Sequence, residues 1–471
     1  MLGSRRFALL WGVTLVVGGC DPNLGRDEPM EATRPIFDPA AGYVPLPNDA
    51  LLDPASGLLN IPVDESVDSA LTQHIKGNLN RIDGWIPGSM ITIPFDDKLD
   101  PSSLTGDSVR LYDVTQVQSS ASSLVRVDPS SYYVAFNVGR EPAVQPPYTL
   151  YVRMKPVPLL PPDFEMGHRY MVVVTNDVKD MQGRRVVGTP AMELLKSQTP
   201  LVNSFGRSQT ILPDEDAAAL EVLRLANAPA LAAIGEEIDL ATVVAHAGFT
   251  IQSNPMPAFN PMLLGYELPK PIGDPSAANS KFGKPWVCFH HPIDGKTVSG
   301  HVKLFKRTPA LVEVSMQASV GKVMNPDSAE KVLCEQAVII DAGALEESTT
   351  YQVVLTDGIK GLNGAASRQS SIFSLMASPT PLLDSSKTPV GLNSPYIDST
   401  FDALLTTGKD PSSATQEDWD KAYDMLVSDS ALGTVEKWRQ TYQPWLQDAA
   451  SALGVERASI TVTWVFTTAA P

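Results

Sequence analysis

The residues with the clearest potential for chemistry surround two adjacent histidines in the middle of the chain. The run His290-His291-Pro292-Ile293-Asp294-Gly295 places imidazole groups four and three positions before a carboxylate. A histidine in such a place can act as a general base near neutral pH. Asp294-Gly295 is also an ordinary hairpin-turn dipeptide, which would leave both histidines at a strand end. We adopt the turn interpretation and assign no catalytic residue.

The same run resembles the His-x-x-x-Asp-Gly active-site motif of some acyltransferases. The resemblance implies that His290 would be the general base and that Asp294 would hold its loop. In the related condensation enzymes three residues separate the second histidine of a double-histidine motif from the aspartate, whereas two do so here. An acyltransferase that uses His290 and Asp294 therefore stays an alternative.

Sequence motifs for other chemistries are absent. The chain has no Gly-x-Ser-x-Gly, so it lacks the nucleophile elbow of an α/β-hydrolase. Zinc, EF-hand and glycine-rich phosphate motifs are missing as well. Asp96, Asp97 and Asp100 could bind calcium, although a solvated acidic loop is the simpler interpretation. We expect no metal, no cofactor and no enzymatic activity.

The N-terminus has the pattern of a secretory signal. Arg5 and Arg6 precede a nearly continuous apolar run over residues 7–17 and two glycines. The run Val17-Gly18-Gly19-Cys20 resembles the lipobox of bacterial lipoproteins, which implies cleavage before Cys20 and acylation of that residue. We predict a signal peptide over residues 1–19 and a lipidated tether over residues 20–36.

The other two cysteines, Cys288 and Cys334, lie in strand-like runs. Outside the cytoplasm they could form a disulfide. Two buried free thiols are the alternative.

The formal net charge of −17 constrains the partners. An acidic surface repels nucleic acid and anionic lipid headgroups. We therefore expect no nucleic-acid partner, and membrane attachment only through the N-terminal lipid.

An internal repeat organises the chain. Residues 170–201 and 351–382 align without a gap, and eleven of the 32 positions are identical. The run Tyr-x-Val-Val-x-Thr predicts a strand in each copy, and Gly183 and Gly364 suit turns with positive φ. Short apolar runs at 191–195 and 372–376 predict a second strand in each copy, as in a β-sandwich.

Helical segments follow each β-rich region. Residues 214–235 begin with acidic residues and continue with leucines and alanines, which predicts a helix that Pro229 should kink or split. Residues 415–453 are the counterpart, and their aromatic side chains, Trp419 and Tyr442 among them, are expected in the core, with a binding face as the alternative. Each segment ends in a strand, near 247–251 and 461–467.

The segments Val44-Pro45-Leu46-Pro47-Asn48-Asp49 and Ile82-Asp83-Gly84-Trp85 resemble the N-terminal region of the bacterial virulence-factor lipase family. The repeated strand unit resembles the bacterial Ig-like modules of that family and of S-layer proteins. In the family an α/β-hydrolase domain follows a strand similar to 464–468. This sequence ends at Pro471 without a nucleophile elbow, so no catalytic residue can be carried over.

These observations predict a mainly β protein with helical appendages and two repeated Ig-like β-sandwich modules, residues 37–253 and 254–471. We expect a non-catalytic binding, adhesion or scaffolding lipoprotein of the cell envelope, at the periplasmic or outer-surface face of a membrane. Its partner would be an envelope protein, a glycan or a lipase. The alternative function is an accessory module of a separately encoded lipase.

Overall fold

The structure is a computed structural model. It describes residues 32–37, 44–66, 68–117, 123–138, 148–155, 164–257, 278–279, 283–308, 310–325, 328–385, 390, 401, 404–405, 407–428 and 431–470.

The described chain is mostly β, with fifteen strands in four sheets. The strands are β1 (Ile91–Phe95), β2 (Val109–Asp113), β3 (Val125–Arg126), β4 (Tyr132–Val138), β5 (Tyr148–Met154), β6 (Arg169–Thr175), β7 (Val243–Thr250), β8 (Ala278–Asn279), β9 (Trp286–Cys288), β10 (Val302–Lys306), β11 (Val312–Glu313), β12 (Gln317–Asn325), β13 (Ser328–Asp341), β14 (Thr350–Thr356) and β15 (Ile460–Thr468). Neighbouring strands pair antiparallel, except for the parallel pair of β15 and β8.

Six α-helices accompany the sheets within the described residues. They are α1 (Ala70–Leu79), α2 (Pro190–Leu195), α3 (Asp214–Ile234), α4 (Ser371–Ala377), α5 (Gln416–Ser428) and α6 (Ala431–Leu453).

The chain divides into two compact units, and each takes a segment from the other half of the sequence. The first unit comprises the described residues of Met1–Gly57, Gly84–Gln252 and Asn393–Met425. The second comprises those of Leu58–Asp83, Ser253–Leu392 and Leu426–Pro471. The module bounds 37–253 and 254–471 stay a prediction.

The first unit contains a three-stranded sheet in the order β1-β5-β4 and a four-stranded sheet in the order β3-β2-β6-β7. Met171 and Val173 of β6 share a core with Leu231 and Ile234 of α3. The late segment contributes a second cluster, in which the Trp419 ring stacks on Tyr151 of β5 at 6.1 Å.

The second unit repeats this plan. Its sheets have the orders β12-β13-β9 and β11-β10-β14-β15-β8. Residues of both sheets, of α4 and of α6 share one core, which includes Val338, Val353, Phe373 and Tyr442. The shared core makes the unit a sandwich of two sheets with helices packed against it.

The repeat extends to irregularities of the backbone. The pairing of β6 with β7 shifts register between Val174 and Thr175. The pairing of β14 with β15 shifts at the equivalent place, between Leu355 and Thr356. A bulge is a local departure from regular pairing, so its recurrence supports the duplication that the sequence predicts.

Most elements predicted from the repeat are confirmed. The Tyr-x-Val-Val-x-Thr runs are the strands β6 and β14, and Gly183 and Gly364 have φ values of 77° and 84°. Residues 214–234 form one helix with Pro229 inside it, so the proline does not split it. The segment 415–453 is divided between α5 and α6. Trp419 and Tyr442 are buried, as expected of core residues.

The second strand predicted in each copy is wrong, because both segments are short helices, α2 and α4. Thr189 caps α2 by accepting a hydrogen bond from the Met192 backbone nitrogen at 3.3 Å. Ser370 caps α4 in the same way through Phe373, at 3.4 Å. A hydroxyl at the N-cap satisfies a free helical N–H, and this local signal prevails over the short apolar run.

Candidate functional site

The side chains of the His290–Asp294 run have separate environments. The Asp294 carboxylate accepts a hydrogen bond from the Lys296 backbone nitrogen at 3.0 Å and caps a 3-10 turn over Gly295–Thr297. His290 is exposed, and its backbone nitrogen donates to the Met256 oxygen at 3.4 Å. Among the described residues, no hydrogen bond or ion pair joins the two side chains.

The Asp294 turn also occurs in the first unit. The backbone nitrogen of Asp294 donates to the Lys360 oxygen, and that of Asp100 donates to the Lys179 oxygen, both at 2.8 Å. Asp100 caps its own turn by accepting from the Ser102 backbone nitrogen at 2.9 Å. Asp294 thus holds a structural turn common to both units. Catalysis by His290 and Asp294 stays an untested prediction.

Two of the three predicted cysteine sites lie within the described residues. A disulfide joins Cys288 of β9 to Cys334 of β13, with 5.7 Å between the Cα atoms. Cys20 lies outside the described residues, as does the whole predicted signal.

The acidic residues considered for calcium each bind nearby backbone. Asp96 accepts from the Arg34 nitrogen and Asp97 from the Lys98 nitrogen, both at 2.7 Å. Burial raises the pKa of Asp96. Within the described ranges, no group of three or more acidic, histidine or cysteine side chains has an arrangement suited to a metal ion.

Both long helices carry the same buried ion pair. In α3, Glu221 and Arg224 pair bidentately, with both nitrogen–oxygen distances at 2.7 Å. Glu221 also accepts from the Leu201 backbone nitrogen at 2.9 Å. In α6, Glu436 and Arg439 form the equivalent pair, both distances being 2.8 Å. The hydrogen bond from Arg224 is the main cause that lowers the pKa of Glu221.

This pair aligns the two helices residue by residue. An offset of 215 superposes Glu221 on Glu436 and also Pro229 on Pro444, the proline inside each helix. Side chains at equivalent positions of α3 and α6 can therefore be compared. The buried side of both helices has one common design, so their exposed sides can be compared position by position.

The exposed side of α3 is apolar. Val222 and Leu225 are 63% and 57% exposed, and Ala226, Pro229 and Ala232 are exposed as well. At 100° per residue these five side chains fall within one third of the helix circumference. We call these five residues the α3 face.

At the equivalent positions α6 is polar. Val222, Leu225, Ala226 and Ala232 correspond to Lys437, Gln440, Thr441 and Gln447, and all eight residues are exposed. A helix that packs one side against a sheet normally shows polar residues on its other side, as α6 does. The α3 face departs from that rule.

The charged residues of α3 lie at its two ends or on its buried side. Between Asp216 and Glu236 the only charged residues are Glu221 and Arg224, and both are buried. Among the described helices, α3 is also the one long and apolar enough to cross a membrane by length and composition, and 44% of that stretch is buried. Apolar residues therefore occur both on the side of α3 that packs in the core and on its exposed side.

Two large apolar side chains precede this helix. Phe205 is 88% exposed and Ile211 is 74% exposed. Asp214 fastens their loop to the start of α3, because it accepts from the Ser208 nitrogen at 2.7 Å and pairs with Arg207 at 3.1 Å. Exposed apolar groups of this size are typical of an interaction surface.

A buried histidine lies elsewhere in the first unit. His246 of β7 is 3% exposed, and neither of its ring nitrogens has a hydrogen-bond partner in the described chain. Burial, and secondarily the charge of Lys196, lower its pKa to about 4. Lys196 is held by Glu193 at 2.9 Å and by the Leu240 backbone oxygen at 3.2 Å. His246 is thus a neutral core residue at neutral pH.

The composition of residues 214–235 predicts a helix but does not separate its buried apolar residues from the exposed ones of the α3 face. The signal was present in the repeat. Aligning the helices by their Glu-x-x-Arg sequences, at 221–224 and 436–439, places a lysine opposite Val222 and a glutamine opposite Leu225.

No protein-family model and no curated protein matches the chain. Among solved structures, it is similar to a crystal structure of the S-layer protein rSbsC(31-844), with 8% identity and a TM-score of 0.14. A structure of domains 1–6 of the surface layer protein SbsC gives the same identity and TM-score. Each match covers 57% of this chain and 51% of the other, about half of that protein's length. At so low a TM-score, the likeness carries no argument about fold or function.

Proposed function

We propose that this protein is a non-catalytic, lipid-anchored binding lipoprotein of the cell envelope, and that it binds its partner through the α3 face. The observation that carries the proposal is the contrast between the two repeated helices. They share the buried ion pair and the internal proline, but at equivalent described positions α3 exposes apolar residues and α6 exposes polar ones. Such a surface costs solubility, and binding to a partner is the ordinary reason for it.

We also propose that the two units are Ig-like sandwiches. Tyr170 supports this, since its hydroxyl accepts a hydrogen bond from the Glu165 backbone nitrogen at 3.2 Å. Tyr351 accepts in the same way from Glu346 at 2.9 Å. A tyrosine bonded to backbone a few residues upstream is a feature of Ig-like folds, where it fixes a corner between strands. Sandwiches of this kind present binding surfaces on a rigid framework.

Site-specific photo-crosslinking in the native envelope tests the binding surface. A photoreactive amino acid replaces Ala232 of the α3 face or, as a matched control, Gln447 of α6. We expect a discrete adduct from position 232 and none from position 447. The adduct partner is then purified and titrated with the wild type and with the triple variant Val222→Lys/Leu225→Gln/Ala226→Thr, which carries the α6 residues.

We expect the triple variant to bind the purified partner at least tenfold more weakly. A second variant, Lys437→Ala/Gln440→Ala, should bind like the wild type. Equal adducts at both positions, or full affinity in the triple variant, would reject the α3 face as the docking surface.

Anchoring is tested separately by growing cells with a labelled fatty acid. Label should appear in the wild-type protein and be lost in Cys20→Ala. Label retained by Cys20→Ala would refute acylation at that residue.

A further inference from the structure

We propose that the partner of the α3 face is an amphipathic helix with basic residues at both ends of its apolar side. This inference rests on the proposed function and adds the chemistry of the partner. It comes from the charges that border the α3 face.

Acidic residues lie at both ends of α3. Glu215 and Asp216 are in its first turn, and Glu236 and Glu237 follow its last residue. None of the four is in an ion pair with a described residue. About 30 Å of helix separates the two acidic ends, at 1.5 Å per residue.

The acidic residues at the end of α3 do not serve the helix itself. Carboxylates are favourable near a helix N-terminus and unfavourable near its C-terminus, where the backbone carbonyls point outward. The last turn of α3 has no basic residue to compensate Glu236 and Glu237. Burial and the nearby charge of Glu237 raise the pKa of the Tyr112 phenol. Glu236 has no side-chain partner among the described residues, so this acidic end can still meet a partner that lies along the helix.

A second copy of this chain fits this surface poorly. If two α3 faces met, parallel or antiparallel, each acidic end would lie against another acidic end. Like charges brought together at an interface oppose association. The net charge of −17 adds to this repulsion.

An anionic lipid surface fits poorly for the same reason, since the four carboxylates would approach negatively charged headgroups. A helix of about 20 residues, with an apolar stripe and lysine or arginine at each end, is complementary both to the apolar α3 face and to the acidic ends of α3. Its stripe would cover the α3 face, and its terminal charges would meet the two acidic ends. Recognition of a helix by apolar contacts along one side is a common mode of binding.

Two synthetic 20-residue peptides test the proposal with the full mature chain. Both have the same leucine and alanine stripe and high helix propensity. One carries two lysines at each end, and the other carries two glutamates there. Affinity is measured by fluorescence anisotropy at low and at high salt.

We expect the lysine peptide to bind at least tenfold more tightly than the glutamate peptide, and this difference to shrink at high salt. The triple variant of the α3 face should lose binding of the lysine peptide. The variant Glu215→Gln/Asp216→Asn/Glu236→Gln/Glu237→Gln should keep its fold, as judged by circular dichroism, and bind both peptides equally.

Equal affinity of the wild type for both peptides would overturn the proposal, as would lysine-peptide binding that survives in the triple variant. Vesicles of phosphatidylglycerol and sedimentation velocity of the free protein complete the test. Vesicle binding, or dimerisation, that the triple variant abolishes would assign the surface to lipid or to a second copy. If the peptides fail while crosslinking at position 232 succeeds, the proposed function stands and only the partner class is wrong.

Discussion

Leu225 of α3 and Gln440 of α6 occupy equivalent exposed positions in two helices that share the same buried ion pair. Superposing the two ion pairs determines which residues of α3 and α6 are equivalent. In α6 the polar Gln440 donates a hydrogen bond to Glu436 at 2.9 Å, so we expect α3 to tolerate a polar residue in place of Leu225.

The triple variant Val222→Lys/Leu225→Gln/Ala226→Thr should therefore fold normally. Each substitution is at the surface and has a counterpart in α6, so we expect changes in the free energy of unfolding within about 0.5 kcal/mol for each. Retention on a hydrophobic-interaction column should decrease. Thermal unfolding and column retention measure the two effects, and a large loss of stability would mean that the α3 face has a structural role.

The buried ion pair itself should be costly to break. Glu221→Gln leaves the Arg224 guanidinium buried without a carboxylate, and we expect a loss of about 3 kcal/mol in the free energy of unfolding. Glu417→Gln, which removes an exposed pair with Lys421 on α5, is the control and should change little. Denaturant titration compares the two variants, and equal effects would contradict the assigned burial.

His246 should make the first unit sensitive to acid. Its pKa is about 4 in the folded protein and 6.5 as the reference value for the unfolded chain. The unfolded chain therefore binds the proton more readily, and the contribution to stability is full above pH 6.5 and lost as the pH falls toward 4. Between pH 7 and pH 5 the expected loss is about 2 kcal/mol.

The substitution His246→Leu isolates this effect, because it removes the titrating group from the same core position. Denaturant titrations at pH 7 and pH 5 should show a smaller loss of stability in the variant than in the wild type. The same pH dependence in both proteins would assign it to other groups.

The disulfide between Cys288 and Cys334 should stabilise the second unit. It closes a loop with a sequence separation of 46 residues, which corresponds to about 4 kcal/mol in the chain-entropy description. The variant Cys288→Ala/Cys334→Ala and the reduced wild type should both unfold at lower denaturant than the oxidised protein. If reduction changes nothing, the bond does not contribute to stability.

The sequence predicted the repeated parts of the fold best. Tyr170 and Tyr351 lie among β-branched residues, which strongly favour a strand. The long alanine-rich segment at 214–234 is predicted to be a helix by its length and composition. Short segments were harder. Residues 191–195 are apolar enough for a strand, and only the N-cap at Thr189 separates the two outcomes.

The candidate site was less accessible from the sequence, because burial is a tertiary property. Leu225 and Leu231 look alike in the sequence, but Leu231 packs against the sheet and Leu225 does not. Composition could not have separated them. The comparison with Gln440 could have done so, since it depends only on aligning the two helices.

Each unit contains a segment from the other half of the sequence, and this affects when each unit can be completed during synthesis. The first unit needs Phe401 and Trp419, which come late in the chain. The second needs α1, which comes early. The N-terminal half is made first, so its aromatic cluster stays incomplete until nearly all of the polypeptide has been made. A fragment cut at the midpoint of the chain should therefore contain neither complete unit.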